Sequence, residues 1–399
     1  MIADSLERPK LEWRSPRGWS GRVPILDRYL LQELLGPLLF GVAAFTSVGL
    51  SVGVVFDLVR KVTEAGLPLT IAMQVFLLKM PSFIVLAFPM SILLASLMAY
   101  SRLSADSELI ALRSCGIRSD RFILPAILLS LVVTGMTFLF NESIVPITNQ
   151  QAKLTLESAL QSDRPAFAEQ NNVVYQQYER WPVAPGSPKT VDVLTRLFYA
   201  RQYDGEKMLN LTVLDFSQAG LNQILTANAA TWNPKAQAWD FRDGTIYAVA
   251  PDGSYRSIIR FEQHQFALPR TPLDLAQHPT DPEQMNIAEA VNYLGLLKQT
   301  GNEKEMRRIQ VSIQQKLAFP FVCVVFGLVG ATLGTLPNRR SSKATGFGIS
   351  VLIIFSYYLL AFVFNALGVQ GALTPIIAAW LPVSLGLAAG LYLLRKTAR

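Results

Sequence analysis

Six separated apolar runs limit what this chain can fold into more than any other feature. The first, Leu34 to Phe56, is 23 residues without a charge, between Asp27, Arg28 and Glu33 on one side and Asp57, Arg60 and Lys61 on the other. A hydrocarbon core about 30 Å thick is crossed by about 20 apolar residues in helical form, so this run predicts a membrane span. The second stretch, Leu69 to Tyr100, is longer than one simple span and contains Lys79 and Pro81. A lysine at mid-bilayer costs roughly 3 kcal/mol on insertion scales. The expectation is therefore that Leu69–Met80 lies at the interface and that the span is Pro81–Tyr100, kinked at Pro89. Further spans are expected at Phe122–Phe140, running on towards Pro146, at Leu317–Leu336, ended by Pro337, at Phe347–Leu367 and at Leu373–Leu394. The fold class is a membrane α-helical protein of six transmembrane helices, three plus three.

Between the third and fourth spans the pattern changes from lipid-like to water-like. Segments Val173–Tyr178, Leu194–Tyr203, Leu209–Phe216, Ile224–Trp232, Ala238–Phe241, Thr245–Val249 and Ile258–Phe266 read as strands. Turns are expected at Asn233-Pro234-Lys235 and Pro251-Asp252-Gly253. Several short strands at such spacing suggest a sandwich or a jelly roll, so residues 147–284 are assigned to an inserted all-β, jelly-roll-like domain. Phe198, Phe216, Trp232 and Phe241 read as its core. A helical connector over 285–316 follows, with Asn286 as N-cap of a helix to about Thr300, a break at Gly301-Asn302, and a charged helix from Glu303 into the fourth span. Residues 25–146 hold the first three spans, 317–399 the last three, and 1–24 form a basic tail, not a cleaved signal.

Basic residues cluster at the ends of the apolar runs. The tail to Arg28, the loop 101–121, the loop 337–346 and the C-terminus together carry sixteen Lys and Arg, against two (Arg60 and Lys61) in the loops 57–68 and 368–372. By the positive-inside rule the sixteen lie in the cytoplasm, with both termini, and the β insert lies across the membrane. The net charge of +7 is thus a topological signal. Nucleic-acid binding is not expected, because no basic soluble face with interleaved aromatics is present.

The sequence offers little for catalysis. Cys115 and Cys323 both lie outside the insert, and His264 and His278 have no cysteine nearby, so neither a disulfide nor a metal site is expected. The Lys-Thr pairs at 189–190 and 396–397 lack the glycines of a phosphate-binding loop. No Gly-x-Ser-x-Gly elbow occurs. The loop 101–121 does carry a helical pattern over Ser104–Cys115, with Asp106 as N-cap and Gly116 as C-terminal stop. Its apolar Leu109, Ile110 and Leu112 suit a groove in a partner; the plainer alternative is a solvated loop helix.

The order of parts resembles the LptF/LptG permease family, the membrane subunits of the lipopolysaccharide-export ABC transporter. The likeness covers residues 25 to 399. It rests on Leu26-Asp27-Arg28-Tyr29, Lys61 to Gly66, Phe88-Pro89-Met90, Ser107-Glu108-Leu109-Ile110-Ala111-Leu112-Arg113-Ser114-Cys115-Gly116, Asn141-Glu142, Val145-Pro146 and Lys316 to Pro320. The resemblance implies that Ser107–Gly116 is a coupling element for a cytoplasmic LptB-like ATPase dimer, with Ser107, Glu108, Leu109, Leu112, Arg113, Cys115 and Gly116 as its residues. It implies no cofactor in this chain, since ATP and Mg²⁺ would sit on the ATPase, and it implies no enzyme activity. The implied partners are a second permease subunit (a paralogue or a copy), periplasmic LptC/LptA-like jelly-roll bridge proteins, and lipopolysaccharide or a related anionic glycolipid. The implied location is the inner membrane of a Gram-negative-type bacterium, with the β domain in the periplasm, and the resemblance offers Phe198, Phe216, Trp232 and Phe241 a second role as the lining of an open lipid groove. Arg60, Lys61, Lys79, Lys153, Arg307 and Lys316 are candidates for the lipid head group; the alternative is that they merely snorkel to the interface. Leu156 departs from relatives that carry a second Arg there, and the first span has no internal cation. Two other functions remain open on this reading: a non-transporting scaffold or receptor, and a mechanotransmission ABC protein acting on periplasmic partners.

Overall fold

The computed structural model describes residues 24–160, 170–182, 190–203, 207–218, 221–234, 236, 238–250, 254–266, 282–298, 302–335 and 343–398. The basic tail to residue 23, the turn at 251–253, Gly301, His278 and the loop from Pro337 to 342 lie outside them. All six apolar runs become helices long and apolar enough to cross a membrane. They are α1 (Ile25–Glu64), α2 (Leu69–Ala105), α4 (Ser119–Leu139, continuing through Phe140–Ile144 into Val145–Leu160), α6 (Glu303–Gly334), α7 (Lys343–Gln370) and α8 (Pro375–Ala398). Short α3 (Glu108–Ser114) joins α2 to α4, and α5 (Ile287–Leu297) precedes α6.

The helices are longer and less interrupted than the prolines suggested. Lys79 and Pro81 do not divide the second stretch: α2 is one helix of 37 residues with Pro81 and Pro89 inside it. At 1.5 Å per residue it is about 55 Å long, far more than a hydrocarbon core. It is therefore long enough to cross the core and extend beyond it as unbroken helix. Pro146 does not end the third span either. The missing proline N–H is absorbed by a π turn over Phe140–Ile144 and the helix runs on to Leu160, into the region assigned to the β insert. Pro320 is absorbed in the same way by a 3-10 turn over Phe319–Phe321 within α6.

α6 is the centre of the bundle. Val322, Cys323, Val325 and Phe326 are buried against Phe88, Ile92 and Leu93 of α2 and Ala379 and Val383 of α8. Small residues allow the close approach. A Cβ on Gly330 would lie 2.9 Å from the Leu93 carbonyl oxygen, and one on Gly334 would lie 2.7 Å from the Tyr100 Cβ. At the end carrying the β insert, α1, α2 and α4 share a separate cluster of Leu50, Val54, Leu58, Leu67, Ala72, Val75 and Ala152. Leu156 packs on that cluster, which gives it a structural role.

Between residues 170 and 266 the described insert is β-structure, as expected, although 147–160 are helical, and the expected strands Ala238–Phe241 and Thr245–Val249 are one. The described strands are β1 (Gln170–Pro182), β2 (Thr190–Tyr203), β3 (Lys207–Gln218), β4 (Leu221–Asn233), β5 (Ala238–Val249) and β6 (Tyr255–Phe266). They form one antiparallel sheet in sequence order, an up-and-down meander without the crossovers of a Greek key. The sheet is creased. Pairing lapses at Arg201, Asn210, Asn228, Asp243 and Glu262, which stand opposite one another across β2 to β6. Asn210 and Asp243 take left-handed φ values of 51°. Met208 and Leu211, three apart, are consequently both buried in one core, where a flat strand would put them on opposite faces. The consequence is a roll. Phe198 of β2 and Trp239 of β5 stand three strands apart, about 14 Å in a flat sheet, yet their ring centroids are 5.7 Å apart. Phe198 and Phe241 are core, Trp232 packs partly buried against it, and Phe216 is half-buried outside that cluster.

The chain returning from the insert is pinned to α4. Asn286 and Glu289 form a capping box on α5, and the Glu142 carboxylate accepts the Ile287 N–H at 2.9 and 3.2 Å. The Lys316 ammonium donates to the Met285 carbonyl.

Gly330→Val is expected to lower stability by about 1–3 kcal/mol through overpacking against α2. Gly348→Ala, where nothing lies within 4 Å, should be neutral. Thermal unfolding of the two variants in one detergent compares them directly.

Candidate functional site

Two features at opposite ends of the bundle carry polar side chains in defined positions. The first is α3. The expected N-cap is corrected: Asp106 closes α2, its N–H bonded to Arg102 O and Ser104 O, and Ser107 turns the chain with a left-handed φ of 61°. The expected stop at Gly116 is present. Gly116 has φ 83°, its N–H reaches Arg113 O at 2.9 Å, and the Ile117 N–H reaches Leu112 O at 3.1 Å. This is a Schellman ending, which only glycine adopts without strain.

The apolar face proposed for a partner also changes. Leu109 is 2% exposed, and Leu112 is half-buried against the same cluster of Leu30, Leu34, Tyr100, Leu103 and Phe122. Residues three apart share a helical face, and this pair faces the chain's own bundle. Ile110, 57% exposed, points away. The outward surface is Ile110, Ala111, Arg113, Ser114 and Cys115. Arg113 lies 5.7 Å from the Phe122 ring centroid, within cation–π range. Glu108 is already engaged: the Tyr29 hydroxyl donates to its carboxylate at 2.7 Å.

The second feature is a cavity of about 710 Å³ in the insert-end half of the bundle, within the size range of small-ligand sites. Phe83, Leu86, Val145, Phe319, Phe362 and Val383 give it an apolar wall. Ser82, Asn141, Asn149, Gln315, Lys316 and Asn365 give it a polar side. Ser82 donates to Asn149 at 3.0 Å. The Tyr358 hydroxyl in its wall is buried and finds no hydrogen-bond partner among the described residues. The cavity thus sets an apolar wall opposite amide, hydroxyl and ammonium groups able to donate hydrogen bonds.

The structure brings only some of the cationic candidates together. Lys316 lines the cavity. Arg307, on the same helix, pairs with Glu303 at 3.7 Å and lies against Gly371 in the α7–α8 loop. Arg60, Lys61, Lys79 and Lys153 sit on the insert ends of α1, α2 and α4 and do not line it. Lys61 pairs with Asp57 at 2.6 Å and Arg60 with Glu64 at 3.5 Å, both one helical turn apart. Near Arg308 and Glu305, burial pushes the Tyr293 hydroxyl above its ordinary value; Glu305 adds to the rise and Arg308 opposes it. Reading the sequence missed Ser82, Asn149, Gln315, Tyr358 and Asn365. Their only signal was polarity inside or beside an apolar run.

A sequence profile described as lipopolysaccharide export system permease LptF/LptG matches residues 28–396. The lipopolysaccharide export system permease protein LptG of Haemophilus influenzae is 24% identical over 334 residues, covering 83% of this chain and 87% of that protein.

Leu109→Ala should cost about 2–5 kcal/mol as a buried truncation, whereas Ile110→Ser should stay within about 0.5 kcal/mol. Chemical or thermal unfolding of the purified chain distinguishes them. Equal effects would mean that α3 is not seated as described.

Proposed function

The chain belongs to the LptF/LptG family of lipopolysaccharide export permeases, and on that premise we propose that it is the membrane subunit of an ABC transporter which takes lipopolysaccharide from the outer leaflet of the inner membrane. It is a transporter subunit and not an enzyme. The power comes from a separate cytoplasmic ATPase dimer of the LptB kind, which binds ATP and Mg²⁺. A second permease subunit completes the lipid cavity, and the β insert hands the lipid to periplasmic bridge proteins of the LptC/LptA kind.

The observation that carries this reading is the placement of α3. It is a short helix seated on the bundle by Leu109, and it turns Ile110 and Arg113 outward at the end where α1 begins and α8 finishes, Leu26 and Leu394 packing on the same cluster. The sixteen Lys and Arg of the sequence segments that adjoin this end support a cytoplasmic location by the positive-inside rule. ATP binding closes the ATPase dimer and displaces α3. The displacement shifts the bundle between two arrangements, driven by the difference in ATPase affinity for each. At the far end the apolar cavity wall takes acyl chains, and Lys316 meets an anionic group. Arg60, Lys61, Lys79 and Lys153 supply a further cationic rim for the glycolipid head.

Ile110→Glu should reduce capture of the neighbouring ATPase about tenfold, the equivalent of about 1.4 kcal/mol. Lys316→Glu should leave capture intact but weaken photo-crosslinking of lipopolysaccharide from a probe at Phe362. Both measurements use the chain co-expressed with the ATPase in membranes. Undiminished capture by Ile110→Glu would remove α3 as the docking element, and undiminished crosslinking would remove Lys316 from the lipid site.

A further inference from the structure

Tyr29 and Asp27 lie in a sequence stretch that neither the cavity nor the outward face of α3 uses. Their partners are distant in sequence. Asp27 takes both Arg121 guanidinium nitrogens, at 2.6 and 2.9 Å, tying the start of α1 to the start of α4. Tyr29 donates to Glu108 at 2.7 Å, tying α1 to α3. Arg102, near the end of α2, closes the ring: it pairs with Glu33 at 2.7 Å and Asp106 at 3.7 Å, and stands 3.5 Å from the Tyr29 oxygen. Beneath this polar layer Leu109 packs with Leu30 and Leu34 of α1 in one cluster. The first helix is thus joined to α3 by a hydrophobic seat and a charged cap.

We propose that Tyr29 is the positioning residue for Glu108, so that α1 and α3 move as one lever when a cytoplasmic partner displaces α3. This rests on the reading of α3 as the ATPase-docking element. The geometry has a specific consequence. A carboxylate only accepts hydrogen bonds, and Glu108 is the one acid in α3. Its hold on α1 therefore depends on a donor there. Without the Tyr29 hydroxyl, α3 keeps its apolar seat but turns more freely against α1. Docking then survives while the push on the first membrane helix is lost.

The test is Tyr29→Phe, which keeps the ring and removes the donor, in the full chain with its ATPase in lipopolysaccharide-containing proteoliposomes. The expected result is unchanged ATPase capture and near-normal ATP hydrolysis, with about fivefold less lipid released per ATP. Hydrogen exchange at the amides of residues 108–114, measured on the chain alone, should rise severalfold. Glu108→Gln retains an acceptor for Tyr29 and should preserve exchange protection, which separates loss of the tie from loss of charge. Tyr29→Phe with wild-type release per ATP, or with unchanged exchange, overturns the proposal while leaving the docking reading in place. Failure of the wild-type chain to capture the ATPase would count against the docking reading instead, and the exchange measurement would still decide the Tyr29 tie.

Discussion

Inside hydrocarbon a backbone N–H or C=O has no water to bond, so a spanning chain must satisfy each group within its own helix. That constraint organises this protein. Pro81, Pro89, Pro146 and Pro320 each remove a donor, yet no helix is broken at any of them. The lost bonds at Pro146 and Pro320 are absorbed by a π turn and a 3-10 turn, and the chain continues. Irregular backbone is left for the helix ends, where water or side chains can serve it. Both positions of strong left-handed backbone around α3, Ser107 and Gly116, lie at such an end.

Continuous helices also connect the two ends mechanically. α2 is about 55 Å long; it carries Arg102 of the polar ring at one end and Ser82 of the cavity well along its length. α6 runs from Lys316, beside the cavity, to Gly334, packed on Tyr100. Tyr100 is wholly buried in the cluster that seats Leu109. Where helices are closely packed, as α2 and α6 are at Gly330 and Gly334, they transmit strain. A push on α3 therefore has a direct physical route to the lipid end, through α1 by its polar ties and through α2 and α6 by close packing.

Much of this was legible in the sequence, because it depends on local properties. The six spans follow from run length, the strands from alternation, Asn286 and Gly116 from capping chemistry. What was not legible depends on contacts between distant residues. That Leu109 faces inward follows from Leu30 and Leu34 lying beside it, about 75 residues earlier in the chain. That Glu108 is engaged follows from Tyr29, and that Asp106 ends α2 follows from α2 being unbroken to Ala105. The crease across the sheet was similarly hidden: Asp243 and Gly244 read as a strand break, because their role appears only when β2 to β6 are aligned. The cavity combines residues of five helices, each unremarked in its own run.

The account stands on α3 and the β insert facing opposite sides of one membrane. The chain's own thiols allow the most direct test, since Cys115 on the outward face of α3 is exposed and Cys323 is buried. A cysteine placed at exposed Ser257 of β6 marks the insert. An impermeant maleimide applied to spheroplasts should label the Ser257→Cys site at once, and Cys115 only after the membrane is permeabilised. Labelling of Cys115 in intact spheroplasts, or protection of the Ser257→Cys site there, would contradict the account at its base.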